Sequence, residues 1–80
     1  MKVKYIILED NSPILFGQTL THKTVADAMG QKVNGAGFCS IDKSNITGDI
    51  SVQVFGESIS LNIKSKPEDS KLIKRLFADF

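Results

Sequence analysis

Two stretches, Asp49 to Phe55 and Ser58 to Ile63, alternate apolar and polar residues, the period of a half-buried strand. Gly56 and Glu57 lie between them, and a short loop with glycine first suits a type II′ turn. That turn sets Phe55 opposite Ser58, and therefore Val54 opposite Ile59, Val52 opposite Leu61 and Ile50 opposite Ile63. All of these apolar residues then share one face, while Ser51, Gln53, Ser60 and Asn62 share the other. A slip of one residue mixes the faces, so the pattern specifies its own register. Phe55 is the exception and points to the polar side at the turn.

A helix follows. Ser65 and Glu68 have the spacing of a capping box, in which each side chain bonds the other's backbone amide, and Pro67 fits a first helical turn. On a helical wheel Leu72, Ile73, Leu76, Phe77 and Phe80 form one side, and Lys71, Lys74 and Arg75 the other. The basic residues near the end suit the helix dipole. The helix is predicted to lay its apolar side on the apolar face of the hairpin.

Upstream, Lys2 to Leu8 reads as a strand with Val3, Tyr5 and Ile7 on one face and Ile6 and Leu8 on the other, as an interior strand would be. Glu9 to Ser12 is a turn, and Pro13 to Phe16 a short strand. Placing Asp10 and Asn11 at the centre of the turn pairs Ile7 with Ile14 and Tyr5 with Phe16. Pro13 cannot donate to a ladder, so this strand belongs at an edge or opens with a bulge. Thr21 is the predicted N-cap of a short helix with Val25, Ala28 and Met29 as its apolar face, and Gly30 ends it. Gly35 to Ile41 reads as another strand, whose glycines allow a bulge or a close backbone approach. Asp42 to Gly48 connects it to the hairpin. The prediction is a single small α+β domain over residues 1–80, with a largely antiparallel sheet of about five strands, two helices and the order ββαβββα.

The chemistry available is limited. One histidine and one cysteine exclude a paired His/Cys zinc set. Neither Gly30 nor Gly35 begins a phosphate loop, and Gly35-Ala36-Gly37 is half a dinucleotide fingerprint placed before a strand instead of a helix. His22 and Cys39 are the one conceivable base and nucleophile. The plainer reading makes Cys39 a small buried hydrophobe and His22 a surface residue in the first turn of its helix. The expectation is a protein without catalytic residues, cofactor or metal. A single cysteine, no apolar run of membrane-spanning length and no signal peptide point to the cytoplasm, without a membrane partner. A formal net charge of +1 leaves any basic site to local distribution, and Lys64, Lys66, Lys71, Lys74 and Arg75 are the one concentration.

Several short segments carry a likeness: Ile14 to Gly17, Thr21 to Lys23, Ala36 to Phe38, Gly56 to Leu61, and Lys66 to Asp69 before the apolar helix. In this order the chain resembles small uncharacterised proteins encoded in tailed bacteriophage genomes and prophages. The resemblance covers most of the chain and implies a bacterial cytoplasm, with no activity or site residues to carry over. From the residues themselves, the expected function is a non-enzymatic protein-interaction module that self-associates, as a dimer, and binds a further protein. Phe55, Ile6 and Leu8 are its candidate contacts, because the short helix offers too little to cover Ile6 and Leu8. The alternative is a nucleic-acid accessory protein that uses Lys64, Lys66, Lys71, Lys74 and Arg75.

Overall fold

The strand Lys2–Leu8 (β1) runs through the interior of an antiparallel sheet, flanked by Pro13–Phe16 (β2) and Val33–Lys43 (β3). A fourth strand, Ile50–Phe55 (β4), pairs with the far side of β3, so the sheet order is β2-β1-β3-β4. The computed structural model of the chain describes residues 1–78. Two helices, His22–Met29 (α1) and Pro67–Ala78 (α2), and a small separate pair of strands, Glu57–Ser58 (β5) and Ile63–Lys64 (β6), complete an α+β fold.

Alternation along β1 divides the core in two. Tyr5 and Ile7 point to one face, where Cys39, Ile41 and the fully buried Ile73 of α2 join them, with Ile50, Val52, Val54, Leu72 and Phe77 packed around. Ile6 and Leu8 point to the other, against Ala36, Ala26 of α1, and Leu61 and Ile63. Both faces of the central strands are thus covered, the arrangement expected of a strand that is apolar on each side.

The expected hairpin between Asp49 and Ile63 does not form. β4 pairs with β3 instead, setting Phe55 opposite Phe38, Val54 opposite Cys39 and Val52 opposite Ile41. Gly56 adopts φ +71°, and the chain leaves the sheet there for its opposite face. Two causes are visible. Ser58 to Asn62 closes as a turn: the buried Ser58 hydroxyl accepts the Leu61 amide, Asn62 N bonds Ile59 O, and Asn62 is left-handed at φ 56°. Local side-chain bonds of this kind compete with a strand ladder. The second cause is demand, since Ile6, Leu8 and Ala36 need apolar cover that α1 alone does not supply. Leu61 and Ile63 meet it, while Ile59, expected in the core, is 87% exposed.

Other expectations shift by a residue. Ile7 faces Pro13 and Tyr5 faces Leu15, because the loop holds Glu9, Asp10 and Asn11 between Leu8 and Ser12. Asn11 takes φ 68° there and the Asp10 carboxylate accepts the Ser12 amide, a longer turn than the one expected. β3 begins earlier and ends later than predicted, with Asn34 as the extra residue of a bulge opposite Ile7 and Leu8. The cap of α2 also moves on by one: Asp69, not Glu68, reaches back, and it accepts the Lys66 amide at 3.1 Å. α1 is capped by Thr21 and Gly30 as predicted, but it buries His22 and Ala26, leaving Ala28 and Met29 exposed. Phe80 lies outside the described residues.

Ile73 fills the α2 side of the core, whereas Leu76 is only half-buried. Ile73→Ala is therefore expected to cost about 2–5 kcal/mol, and Leu76→Ala under about 1.5 kcal/mol. Urea midpoints of the two variants measure the difference, and equal losses would place the helix in a different rotation.

Candidate functional site

Two buried polar contacts fix the scaffold on which any site must sit. On the α2 face, the Tyr5 hydroxyl donates to Asp69 Oδ2 at 2.7 Å, and the carboxylate is 1% exposed. Burial, followed by the hydrogen bond and negative charge of Asp69, raises the Tyr5 pKa well above its ordinary 10.0. Gly35 leaves room for this carboxylate, since a Cβ there would lie 2.9 Å from Asp69 Oδ2. On the α1 face, His22 is 4% exposed and its Nε2 lies 2.8 Å from Gly37 O. A carbonyl only accepts, so Nε2 carries the hydrogen. His22 is therefore a buried anchor, not the surface residue expected from its place in the first turn.

The same geometry separates the one conceivable nucleophile from the one conceivable base. Cys39 packs with Tyr5 and Ile73, and His22 lies beyond the opposite face of the sheet against Phe16 and Phe38. Burial pushes the Cys39 thiol up to about 11. Among the described residues no group of three or more His, Cys, Asp or Glu side chains could hold a metal ion. No helix there is long and apolar enough to cross a membrane.

Of the proposed contact residues, Ile6 and Leu8 are sealed inside the chain and cannot meet a partner. The cover judged insufficient from sequence is supplied by Leu61 and Ile63, which the expected hairpin had placed on the other face. Phe55 remains open at 38% exposure. The five basic residues differ in their surroundings. The Lys66 ammonium is tied to Asn34 O at 2.6 Å and Lys64 stands opposite Glu57, while Lys71, Lys74 and Arg75 are exposed on α2.

Cross-strand register reveals a surface that the linear sequence hides. Lys4 faces Phe16 on one side and Phe38 on the other, and Phe38 faces Phe55, so Phe16, Lys4, Phe38 and Phe55 form one row across all four strands. Lys2, Ser40 and Gln53 make the next row. The Phe38 and Phe55 rings stack with centroids 5.8 Å apart and planes 17° from parallel. Lys2 Nζ lies 5.4 Å from the Phe55 centroid and Lys4 Nζ 5.9 Å from that of Phe38. α1 and the β5–β6 segment cover the Ile6 end of this face, and His22 of α1 meets Phe16 and Phe38 edge-on, so Phe16, Lys4 and Phe38 are half-buried while Lys2, Gln53 and Phe55 are exposed. A pocket of about 250 Å³ adjoins the row, walled by Phe38, His22, Lys4 and Thr21 and, across from them, Glu57 and Ser60.

A second concavity, of about 500 Å³, follows the outer edge of β4 at Val52, Gln53 and Val54, and Ser65, Pro67 and Ser70 bound its other side. The residues that sequence reasoning passed over are Lys2, Lys4 and Phe38, and His22, which it placed on the surface, is buried. Alternation already put Lys2 and Lys4 on the face opposite Tyr5, but only the β1–β3 register brings Phe38 beside them. No protein-family model, curated protein or solved structure matches the chain.

The buried thiol and phenol give the fold a defined alkaline limit. An unfolded thiol ionises at the ordinary 9.0 and the folded one near 11, so the stabilisation is complete below pH 9 and is lost as pH rises toward and through 11. Tyr5, raised in the same direction, adds to the loss. The urea midpoint should hold steady to about pH 9 and then fall, and at neutral pH a thiol reagent should reach Cys39 only as fast as the chain opens. A flat midpoint through pH 11, or immediate thiol labelling, would show that Cys39 is not enclosed.

Proposed function

We propose that this chain is a small non-enzymatic interaction module that self-associates by pairing the outer edge of β4 with the same edge of a second copy. The observation that carries the reading is the character of that edge. Edge strands offer unpaired backbone groups, and proteins ordinarily guard them with charge, proline, bulges or brevity. β2, the opposite edge, is short and starts with Pro13. β4 spans Ile50–Phe55 without a charged residue or a proline, and Val52 and Val54 are left half-buried beside the open groove.

Self-pairing suits the sequence of β4 particularly well. An antiparallel two-fold centred on Val52 or on Gln53 keeps Ile50, Val52 and Val54 of both copies on the α2 side. Ser51, Gln53 and Phe55 stay together on the other side. The product is one continuous sheet with closed two-fold symmetry, the commonest form of assembly. Self-association thus rests on β4, in place of Ile6 and Leu8. A further protein partner would compete for the same edge by adding a strand of its own. The phage or prophage setting and a bacterial cytoplasm enter the proposal through the sequence resemblance. The alternative, nucleic acid on the basic side of α2, is supported by the exposure of Lys71, Lys74 and Arg75.

Pairing along one short strand makes a small contact, below about 1,200 Å² in total, so a dissociation constant on the order of 10–100 µM is expected. Sedimentation equilibrium across that range should show a monomer of 8.8 kDa in exchange with its dimer. Gln53→Lys, which sets like charges together near the two-fold, should abolish the dimer and leave the urea midpoint within about 0.5 kcal/mol of the parent. A single species at the monomer mass up to about 500 µM, or a dimer indifferent to Gln53→Lys, overturns the reading.

A further inference from the structure

From the row of rings and lysines on the open half of the sheet we infer a binding surface for single-stranded nucleic acid, distinct from both the β4 edge and the basic side of α2. The first ground is placement. Phe38 and Phe55 stack on neighbouring strands; Phe38, edge-on to His22 of α1, is half-buried, and Phe55, beyond the reach of α1, is 38% exposed. Sheet-borne aromatic residues of this kind stack unpaired bases, because every base presents a π-face and a flat sheet holds successive rings at spacings a strand can follow. Adjacent strands lie about 4.8 Å apart, so the run from Lys4 on β1 to Phe55 on β4 crosses roughly 10 Å, enough for about two bases.

Charge is the second ground. The ion pairs among the described residues join the Met1 amino group to Asp42 and Lys23 to Asp27, so Lys2 and Lys4 have no carboxylate partner. The Lys4 ammonium is steadied by Leu20 O at 2.8 Å and stays beside the Phe38 ring. Lys2 is exposed and lies over Phe55. Ammonium groups without an ion-pair partner, beside the exposed Phe55 and the half-buried Phe38, match a ligand that alternates bases with phosphates, and each phosphate neutralised releases counterions. An apolar protein partner would leave these charges desolvated and unpaired, at a cost.

The third ground is the pocket next to Phe38. At about 250 Å³ it can admit a base, and Thr21, Ser60 and Glu57 at its wall offer hydroxyl and carboxylate groups to the base edge. Duplex bases are stacked and paired out of reach of such a surface, so the inference is for single strands.

Fluorescence anisotropy with a labelled oligodeoxythymidine of roughly 12 nucleotides, at about 50 mM salt, tests the assignment. Saturable binding is expected, with a duplex of the same length bound at least about tenfold more weakly. Phe55→Leu, which keeps apolar bulk without the ring, should weaken the single-strand complex by roughly 5- to 50-fold, and Phe55→Tyr should retain it. Lys2→Gln should weaken it and lower the salt dependence by about one phosphate contact. Lys71→Gln, Lys74→Gln and Arg75→Gln together should leave it unchanged. Urea midpoints establish that each variant is folded; should Phe55→Leu fail that control, Lys2→Gln and the salt slope decide. No binding by the parent chain, equal binding of duplex, indifference to Phe55→Leu, or loss only with the three α2 substitutions would overturn the inference.

Discussion

The carboxylate of Asp69, buried against the hydroxyl of Tyr5, is the contact on which the rest of this fold depends. A buried charge is costly unless hydrogen bonds replace its water. Here the Tyr5 hydroxyl and the Lys66 amide do so, and Gly35 contributes by having no side chain where the carboxylate sits. Three elements are fixed at one point: β1 through Tyr5, β3 through Gly35, and the first turn of α2 through Asp69 itself. Once α2 starts there, Ile73 falls over Tyr5, Ile7 and Cys39, and the helix crosses the sheet above β4. One residue thus caps the helix and seats it.

Gly37 performs a related task at the centre of the sheet. It pairs with Tyr5, its carbonyl accepts from His22, and a Cβ on it would press on Phe55 O and on the Ser65 side chain at 3.0 Å. The anchors of both helices therefore converge on one stretch of β3. α1 is short, and even with Leu61 and Ile63 beside it the cover reaches only from Ile6 and Ala36 to Phe16 and Phe38, where His22 rests edge-on. The uncovered end of that face follows directly, and with it the exposure of Lys2 and Phe55 beside the half-buried Lys4 and Phe38. If two copies pair through β4, both aromatic rows come to the same side of one continuous sheet.

Much of the fold was legible in the chain. The strand bounds of β1 and β2, the caps of α1 and the apolar side of α2 all follow from short-range rules, and the edge position of β2 is one of the two that Pro13 allowed. Long-range choices were not. The alternation of Ser58 to Ile63 argued for a hairpin, but nothing local shows that Ser58 and Asn62 will close a turn or that Ile6 and Leu8 will claim Leu61 and Ile63. His22 looked like a surface residue because its partner, Gly37 O, belongs to another element. The aromatic row was illegible for the same reason: its members lie on four strands, and only register joins them.

A double-mutant cycle on Tyr5 and Asp69 tests the central dependence most directly. Tyr5→Phe and Asp69→Ala should each destabilise by about 1.5–4 kcal/mol, since the first leaves the buried carboxylate with the Lys66 amide alone and the second leaves the buried Tyr5 hydroxyl without its acceptor. If the two groups act as one anchor, the double variant should lose about 1–2 kcal/mol less than the sum. Additivity within about 0.5 kcal/mol, measured from urea midpoints with unchanged slopes, would contradict the account and show that α2 is held by apolar packing alone.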